Sequence, residues 1–541
     1  MNKLATISDL PLEIIHQVLD SLAPNGILSL IRAVPRLGPL VSPAHSHAVG
    51  ERGETLLHLL AQEGDAAVLA ILLANPATNP NIHADVNMTP AHFSIYNLRD
   101  PFYGDISPHP HYHGRTPLSC AAIGGHVAVV ELLLARPDID DEHIDYNRRT
   151  PLSLAAFEGH VNIVSLLLSR AHVASYGFAN YSFDKRRCYE MPMLLAASEG
   201  HVEVVELLLQ RRPRMSPTAQ CGYNLMSLSA AAGRGHVAMV ELFLSRPDVD
   251  ACEGTVYGYK PLTYAAKGGH LSVVETLLKR SEVQEHIRVD GTRALRLASQ
   301  YGSTEVVRLL LQQEGVVHER IMLPLAAKNG HIETMKILLE HDYTCATLTS
   351  VGILAMSALA CAVKAGHVDA VRLLLGQKLV CVDSQDLRCR TPLILAAENG
   401  RTDIMGLLLE FDDVGVNLQD ASGMSALACA ANAGHSAVVS LLLERSDVNV
   451  NLRNRRGRTP LMHAAAQGHV EVMRILMMCD KVDVNAVCKR GKSARDIAKH
   501  EGHYEAFALA FGGDAVEINV DAAADTMLLT EFQFLTDIKT I

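Results

Sequence analysis

The sequence of 541 residues predicts an all-α protein: a solenoid of stacked helix-turn-helix units. Two observations lead there. One phrase, T-P-L-x-x-A-A-x-x-G-H-x-x-V-V-x-L-L-L, recurs along the chain. It reads TPLSCAAIGGHVAVVELLL from Thr116 to Leu134, TPLSLAAFEGHVNIVSLLL from Thr150 to Leu168 and TPLMHAAAQGHVEVMRILM from Thr459 to Met477. Its glycine returns thirteen times, at 64, 125, 159, 200, 235, 269, 302, 330, 366, 400, 434, 468 and 502, and the last four intervals are each 34 residues. A chain with this periodicity buries each unit against its neighbours. The usual expectation of one domain per ~150 residues does not apply to it.

Within a unit the elements follow from local chemistry. Thr116 is a good N-cap, and Pro117 suits the first helical position, where a missing N–H costs nothing. The first helix is short and alanine-rich, so a neighbouring helix can come close. Gly125 supplies the left-handed residue that ends it. The second helix, Val127 to Leu134, is apolar on more than one side, as a helix between two repeats must be. Pro324 falls in the first turn of its helix, where amide groups have no intrahelical partner, and is tolerable there.

The phrase resembles the ankyrin repeat, whose marks are T-P-L-H-x-A-A and G-H at a period near 33 residues. The resemblance covers 53–511, about thirteen units, and implies hairpin-helix-helix modules in a curved, protein-binding solenoid. It also implies that the histidine of G-H orders the turn between helices. The histidine of T-P-L-H survives only as His58; Ser119, Ser153, Ile394 and Met462 stand there elsewhere. Overlong connectors at 87–113, 171–190, 211–225 and 341–355 are expected to form extended loops, which leaves the regularity of the stack open between 165 and 360.

Residues 1–45 do not belong to the repeats. Ser8 or Asp9 can cap a helix, Pro11 fits its first turn, and Leu12, Ile15, Leu19 and Leu22 recur at helical spacing before Pro24-Asn25-Gly26. This segment resembles an F-box, with signature L-P-x-E-I and then L-x-x-L. Leu10, Pro11, Glu13, Ile14, Ile15, Val18, Leu19 and Leu22 match its first part, and Leu28, Ile31 and Val34 its second. The closing aromatic is missing. The resemblance implies that 7–40 contacts a Skp-type adaptor of a cullin–RING ubiquitin ligase through Leu10, Pro11, Leu12, Ile14, Ile15, Val18, Leu19 and Leu22, while the repeats recruit a client. A cap over the exposed end of the solenoid is the other reading.

Composition narrows the function classes. The formal charge of −11 argues against binding nucleic acid through overall charge. No apolar run approaches the ~18 residues of a membrane span, so no membrane insertion is expected. The 11 cysteines include no C-x-x-C, which favours reduced thiols and an intracellular, cytoplasmic or nuclear, protein. Ten of the 26 histidines belong to G-H and lie one repeat apart, so they cannot converge on a metal. The only local cluster, His109, His111 and His113, lacks a completing Cys or carboxylate. Cys120, Cys361 and Cys429 share one packing slot and read as small apolar side chains. No P-loop, G-x-G-x-x-G, G-x-S-x-G or H-E-x-x-H is present, so neither catalysis nor a cofactor is expected.

The hairpin tips carry the remaining signal. Arg148 and Arg149, Arg388 and Arg390, and Arg455, Arg456 and Arg458 lie just before the Thr-Pro, and stacking would line them up as a ladder able to attract an acidic partner. Lys489, Arg490 and Lys492 extend that ladder. The tail, 512–541, is acidic with interspersed apolar residues; a partner motif, a cap on the last repeat and an occupant of the basic tips all fit it.

Overall fold

The computed structural model describes residues 12–49, 54–82, 114–145, 149–170, 191–211, 227–254, 259–341, 357–377 and 380–511. Among them every element is helical, apart from one isolated bridge between Gln419 and Ser425. They fall into two compact units, Met1–Glu319 and Arg320–Ile541. The connectors 87–113 and 171–190, almost all of 211–225 and 341–355, the histidines at 109, 111 and 113, and the tail lie outside the described residues.

In the first unit, helix α1 (Leu12–Ser21), α2 (Pro24–Ala33), a 3-10 turn (Pro35–Leu40) and α3 (Pro43–His47) precede the repeats. Helical pairs follow, of which the first three described are α4 (Leu56–Glu63) with α5 (Ala66–Leu73), α6 (Pro117–Gly124) with α7 (Val127–Leu134), and α8 (Pro151–Glu158) with α9 (Val161–Leu168). First helices pack on first helices and second on second, α4 on α6 on α8 and α5 on α7 on α9. Ala121, Ala122, Ala155 and Ala156 are fully buried between them, which is why small side chains are required there. Val129, Val130 and Leu133 fill the layer of second helices.

The caps are those the phrase predicts. The hydroxyls of Thr116, Thr150, Thr391 and Thr459 each accept from the amide three residues on. All thirteen repeat glycines have φ between 66 and 88°. Only glycine holds that conformation without cost, so the glycine period is the turn period. Pro324 lies buried in the first turn of Met322–Asn329.

The G-H histidine does more than order a turn. Its Nε2 donates to a carbonyl of the preceding repeat: His126 to Gln62 at 2.7 Å, His160 to Ile123 at 2.9 Å, His201 to Phe157 at 2.9 Å and His469 to Asn432 at 3.1 Å. Where the histidine is replaced by Arg401, the guanidinium donates to the carbonyl of Ala365 at 3.4 Å. A second lateral bond was not foreseen. An arginine after the second helix reaches the last carbonyl of the previous one: Arg136 to Leu73, Arg170 to Leu134 and Arg445 to Leu409, at 3.0, 3.0 and 3.2 Å.

One repeat departs from the pattern. Where a hairpin would stand, Ser281–Glu285 and the fifteen-residue helix Ile287–Tyr301 run instead. Asp290 on that helix, 4% exposed, accepts from the ammonium of Lys260 at 2.7 Å. Lys260 occupies the cap position held by threonine or serine in most other described repeats, and the sequence in the long helix, GTRALRLASQYG from Gly291, lacks the Thr-Pro that would have stopped it from beginning early.

In the second unit the tip glycines Gly423, Gly457 and Gly491 have φ of 79, 76 and 70°. Cys389 stands in the same place with φ 57°, the only described non-glycine residue with positive φ. A left-handed side chain costs about 1–2 kcal/mol. Cys389→Gly is therefore expected to stabilise the protein by about 1 kcal/mol, allowing for glycine's greater freedom when unfolded. An unchanged or lower urea midpoint would contradict this.

Candidate functional site

The hairpin tips of the second unit form a built edge. Three of them begin with a side-chain oxygen that accepts two backbone amides. Asp386 Oδ1 accepts from Arg388 and Arg390 at 2.8 and 2.9 Å, Asp420 Oδ1 from Ser422 and Met424 at 2.8 and 2.7 Å, and Asn454 Oδ1 from Arg456 and Arg458 at 2.9 Å each. Burial pushes the Asp386 carboxyl up, but these amides and the Arg390 guanidinium outweigh it and hold the group below its ordinary value. In the last tip Cys488 takes the oxygen's place. Burial raises its thiol, yet the amides of Arg490 and Lys492 and the charge of Arg458 bring it below the usual value.

Successive tips are laced together by their backbones. The amide of Ala421 donates to Arg388 O at 2.7 Å, that of Arg455 to Ser422 O at 3.1 Å and that of Lys489 to Arg456 O at 3.1 Å. A Cβ on Gly423 or Gly457 would stand 2.7 Å from the Arg455 nitrogen or 2.8 Å from that of Lys489. The tips of this unit are thus tied side by side from Arg388 to Lys489.

The tip arginines of the two units, each taken by itself, divide into two kinds. Arg388, Arg455 and Arg456 are exposed. The last arginine of each tip instead folds back. Arg149 is 7% exposed and donates to Asp145 at 3.1 Å. Arg390 pairs with Asp386 at 2.8 Å and with Glu398 at 2.9 Å, and Arg458 lies 3.8 Å from Glu501. The expectation that all of them face a partner is corrected here: the residue next to Thr-Pro points along the repeat, toward the carboxylates that lock the hairpin. Arg148 lies outside the described residues.

The other candidate chemistry is placed inside the fold. Burial pushes the thiols of Cys120, Cys361 and Cys429 up to about 12, 11 and 12, which makes them poor nucleophiles at neutral pH. His463 shares their slot. Its Nε2 lies 2.9 Å from the Asn454 amide nitrogen, and burial, with Arg458 and Arg456 nearby, lowers its pKa to about 4. Among the described residues no group of three or more His, Cys, Asp or Glu is arranged to hold a metal. None of the described helices is long and apolar enough to cross a membrane.

In the N-terminal segment, Ile15 and Leu19 are buried at 4% and 0% exposure, while Val18 and Leu22 are half-buried. Leu12 and Ile14 lie on α1; Leu10 and Pro11 lie outside the described residues. Ile27, Leu28 and Ile31 of α2 are buried; α2 and α3 pack on α4, and the 3-10 turn packs on α5. Arg32 pairs with Glu63 and reaches Asp65 at 3.4 Å, and Asp20 of α1 bonds His45 of α3 at 2.6 Å. The sequence marked these residues as apolar and helical but did not show that α2 and α3 pack on the first repeat.

A family model described as ankyrin repeats (three copies) matches residues 99–176, 193–286, 228–321, 316–386, 359–454, 393–488 and 429–521. The chain belongs to the ankyrin-repeat family. Ankyrin repeats are protein-interaction modules, and the laced tips carry exposed side chains, among them Arg388, Arg455 and Arg456. No curated protein matches the sequence.

Proposed function

We propose that this ankyrin-repeat chain is a non-catalytic substrate receptor. The repeats hold a client protein, and the N-terminal helices present it to a Skp-type adaptor of a cullin–RING ubiquitin ligase. What supports the reading is the sequence L-P-x-E-I at 10–14, ahead of α2 and α3, which pack on α4 of the first repeat. Ile15 and Leu19 are buried, whereas Val18 on α1 and Leu22 just past its end, one turn apart, are half-buried and have apolar surface to offer. The client would be taken by the exposed tip residues, among them Arg388, Arg455 and Arg456.

A second reading is favoured by the same burial: α1 to α3 cover the open end of the stack and do nothing else, and the chain is an ankyrin scaffold with no ubiquitin link. Co-purification decides. The wild type is expected to retain the adaptor, and Val18→Asp with Leu22→Asp to lose it at least tenfold while the helical signal and melting temperature hold. Ile15→Asp is unsuited to this test, because a carboxylate buried at that position would unfold the segment. Failure of the wild type to retain any adaptor would leave the scaffold reading.

A further inference from the structure

We propose that the acidic C-terminal segment, residues 512–541, docks in cis on the cationic edge formed by the last two hairpin tips. Six cations stand there: Arg453, Arg455, Arg456, Lys489, Arg490 and Lys492. The bond from the Lys489 amide to Arg456 O, 3.1 Å, fixes the two tips side by side. Among the described residues none of the six has an ion pair, whereas Arg149, Arg390 and Arg458 each have a carboxylate within 4 Å. Like charges held together repel, so the edge favours any anionic chain that settles on it. The preceding tip, Asp420 to Gly423, carries no cation and bounds the patch on that side.

The tail supplies the complement. It holds Asp514, Glu517, Asp521, Asp525, Glu531 and Asp537 against Lys539 alone. Only Phe511 separates it from Tyr504–Ala510, the helix that ends the repeat whose tip carries Lys489 and Arg490. Thirty residues span up to about 100 Å when extended, so reach sets no limit, and tethering keeps the local concentration near the millimolar range. Val487, 45% exposed, gives an apolar spot beside the cations, and the Arg453 guanidinium holds its carbonyl at 3.1 Å. Met527, Leu528, Phe532 and Phe534 of the tail are the matching apolar groups. An acidic client for this edge would have to displace the tail. The inference does not depend on the adaptor reading, since it concerns only the last two repeats and the tail.

Limited chymotrypsin digestion of the full chain tests it, with a free peptide of residues 512–541 as the reference at each salt concentration. At about 20 mM salt the tail of the wild type is expected to be cut at least fivefold more slowly than the peptide, and at about 0.5 M salt at nearly the peptide's rate. Arg455→Glu, Arg456→Glu and Arg490→Glu together should abolish the low-salt protection, and adding Asp521→Lys, Asp525→Lys and Glu531→Lys should restore it. The reversed side chains are exposed and the ladder is made by backbone groups, so the fold is expected to hold; a melting curve checks this. A tail cut as fast as the peptide at both salts overturns the proposal. So does a protected tail that ignores both salt and charge reversal, which would place it on apolar surface elsewhere. The wild-type salt comparison decides even if the triple variant does not fold.

Discussion

Gly159→Ala is expected to destabilise the protein by about 3 kcal/mol, and Gly491→Ala by only about 1. Both glycines are left-handed, with φ of 80 and 70°. Both substitutions therefore pay the same conformational strain, about 1–2 kcal/mol. They differ in what the new methyl meets. At position 491 nothing lies within 4 Å. At 159 the Cβ would stand 2.5 Å from His201 Nδ1, and that ring is held by its bond to Phe157 O at 2.9 Å. Moving the ring breaks the bond, worth about 1 kcal/mol net, and loosens the packing of one repeat on the next. Urea denaturation of the two variants beside the wild type reads the difference. Equal losses would show that the histidine yields without cost and that the glycine period records backbone conformation alone.

That contrast locates what the sequence made legible. The glycine, the Thr-Pro cap and the alanine pair each act within about four residues of themselves, so their periodic return reveals the repeat and its boundaries directly. The partners of His201, Arg170 and Asp290 lie 44, 36 and 30 residues away, at Phe157, Leu134 and Lys260. Nothing local announces them. The histidine was visible as a repeated letter, but its inter-repeat bond required the stack. The tips show the same division: Arg388 and Arg390 are two residues apart and chemically alike, yet one is exposed and the other is clamped between Asp386 and Glu398. Sequence spacing ranks them equally because the carboxylate eight residues on, Glu398, reaches Arg390 only through the fold. The early start of Ile287–Tyr301 is the one departure with a local sign, the missing Thr-Pro.

Stability is expected to fall by about 3 kcal/mol between pH 7 and pH 4 on account of His463 alone. The unfolded chain protonates this side chain near pH 6.5, whereas the folded protein does so only near 4, because burial and then Arg458 and Arg456 disfavour the charge. The folded pKa lies below the unfolded one, so the unfolded state binds the extra proton throughout that interval and stability must rise with pH across it. The contribution is complete above about pH 6.5, declines as the pH falls toward about 4, and changes no further below that. A depression of about 2.5 units at 1.36 kcal/mol each sets the size. Buried carboxylates held below their ordinary value, such as Asp386, add acid lability of their own, so a single pH curve does not isolate the histidine. The comparison with His463→Cys does. Cysteine fills the same slot in three other repeats, at 120, 361 and 429, and does not titrate in this range. Urea midpoints of the variant should therefore be flatter between pH 7 and pH 4 by most of that amount. Losing the bond to Asn454, 2.9 Å in the wild type, lowers the variant's stability at every pH and leaves the slope untouched. Parallel pH curves for the two proteins would mean that the last repeats open enough in the native state to protonate His463 at its ordinary value.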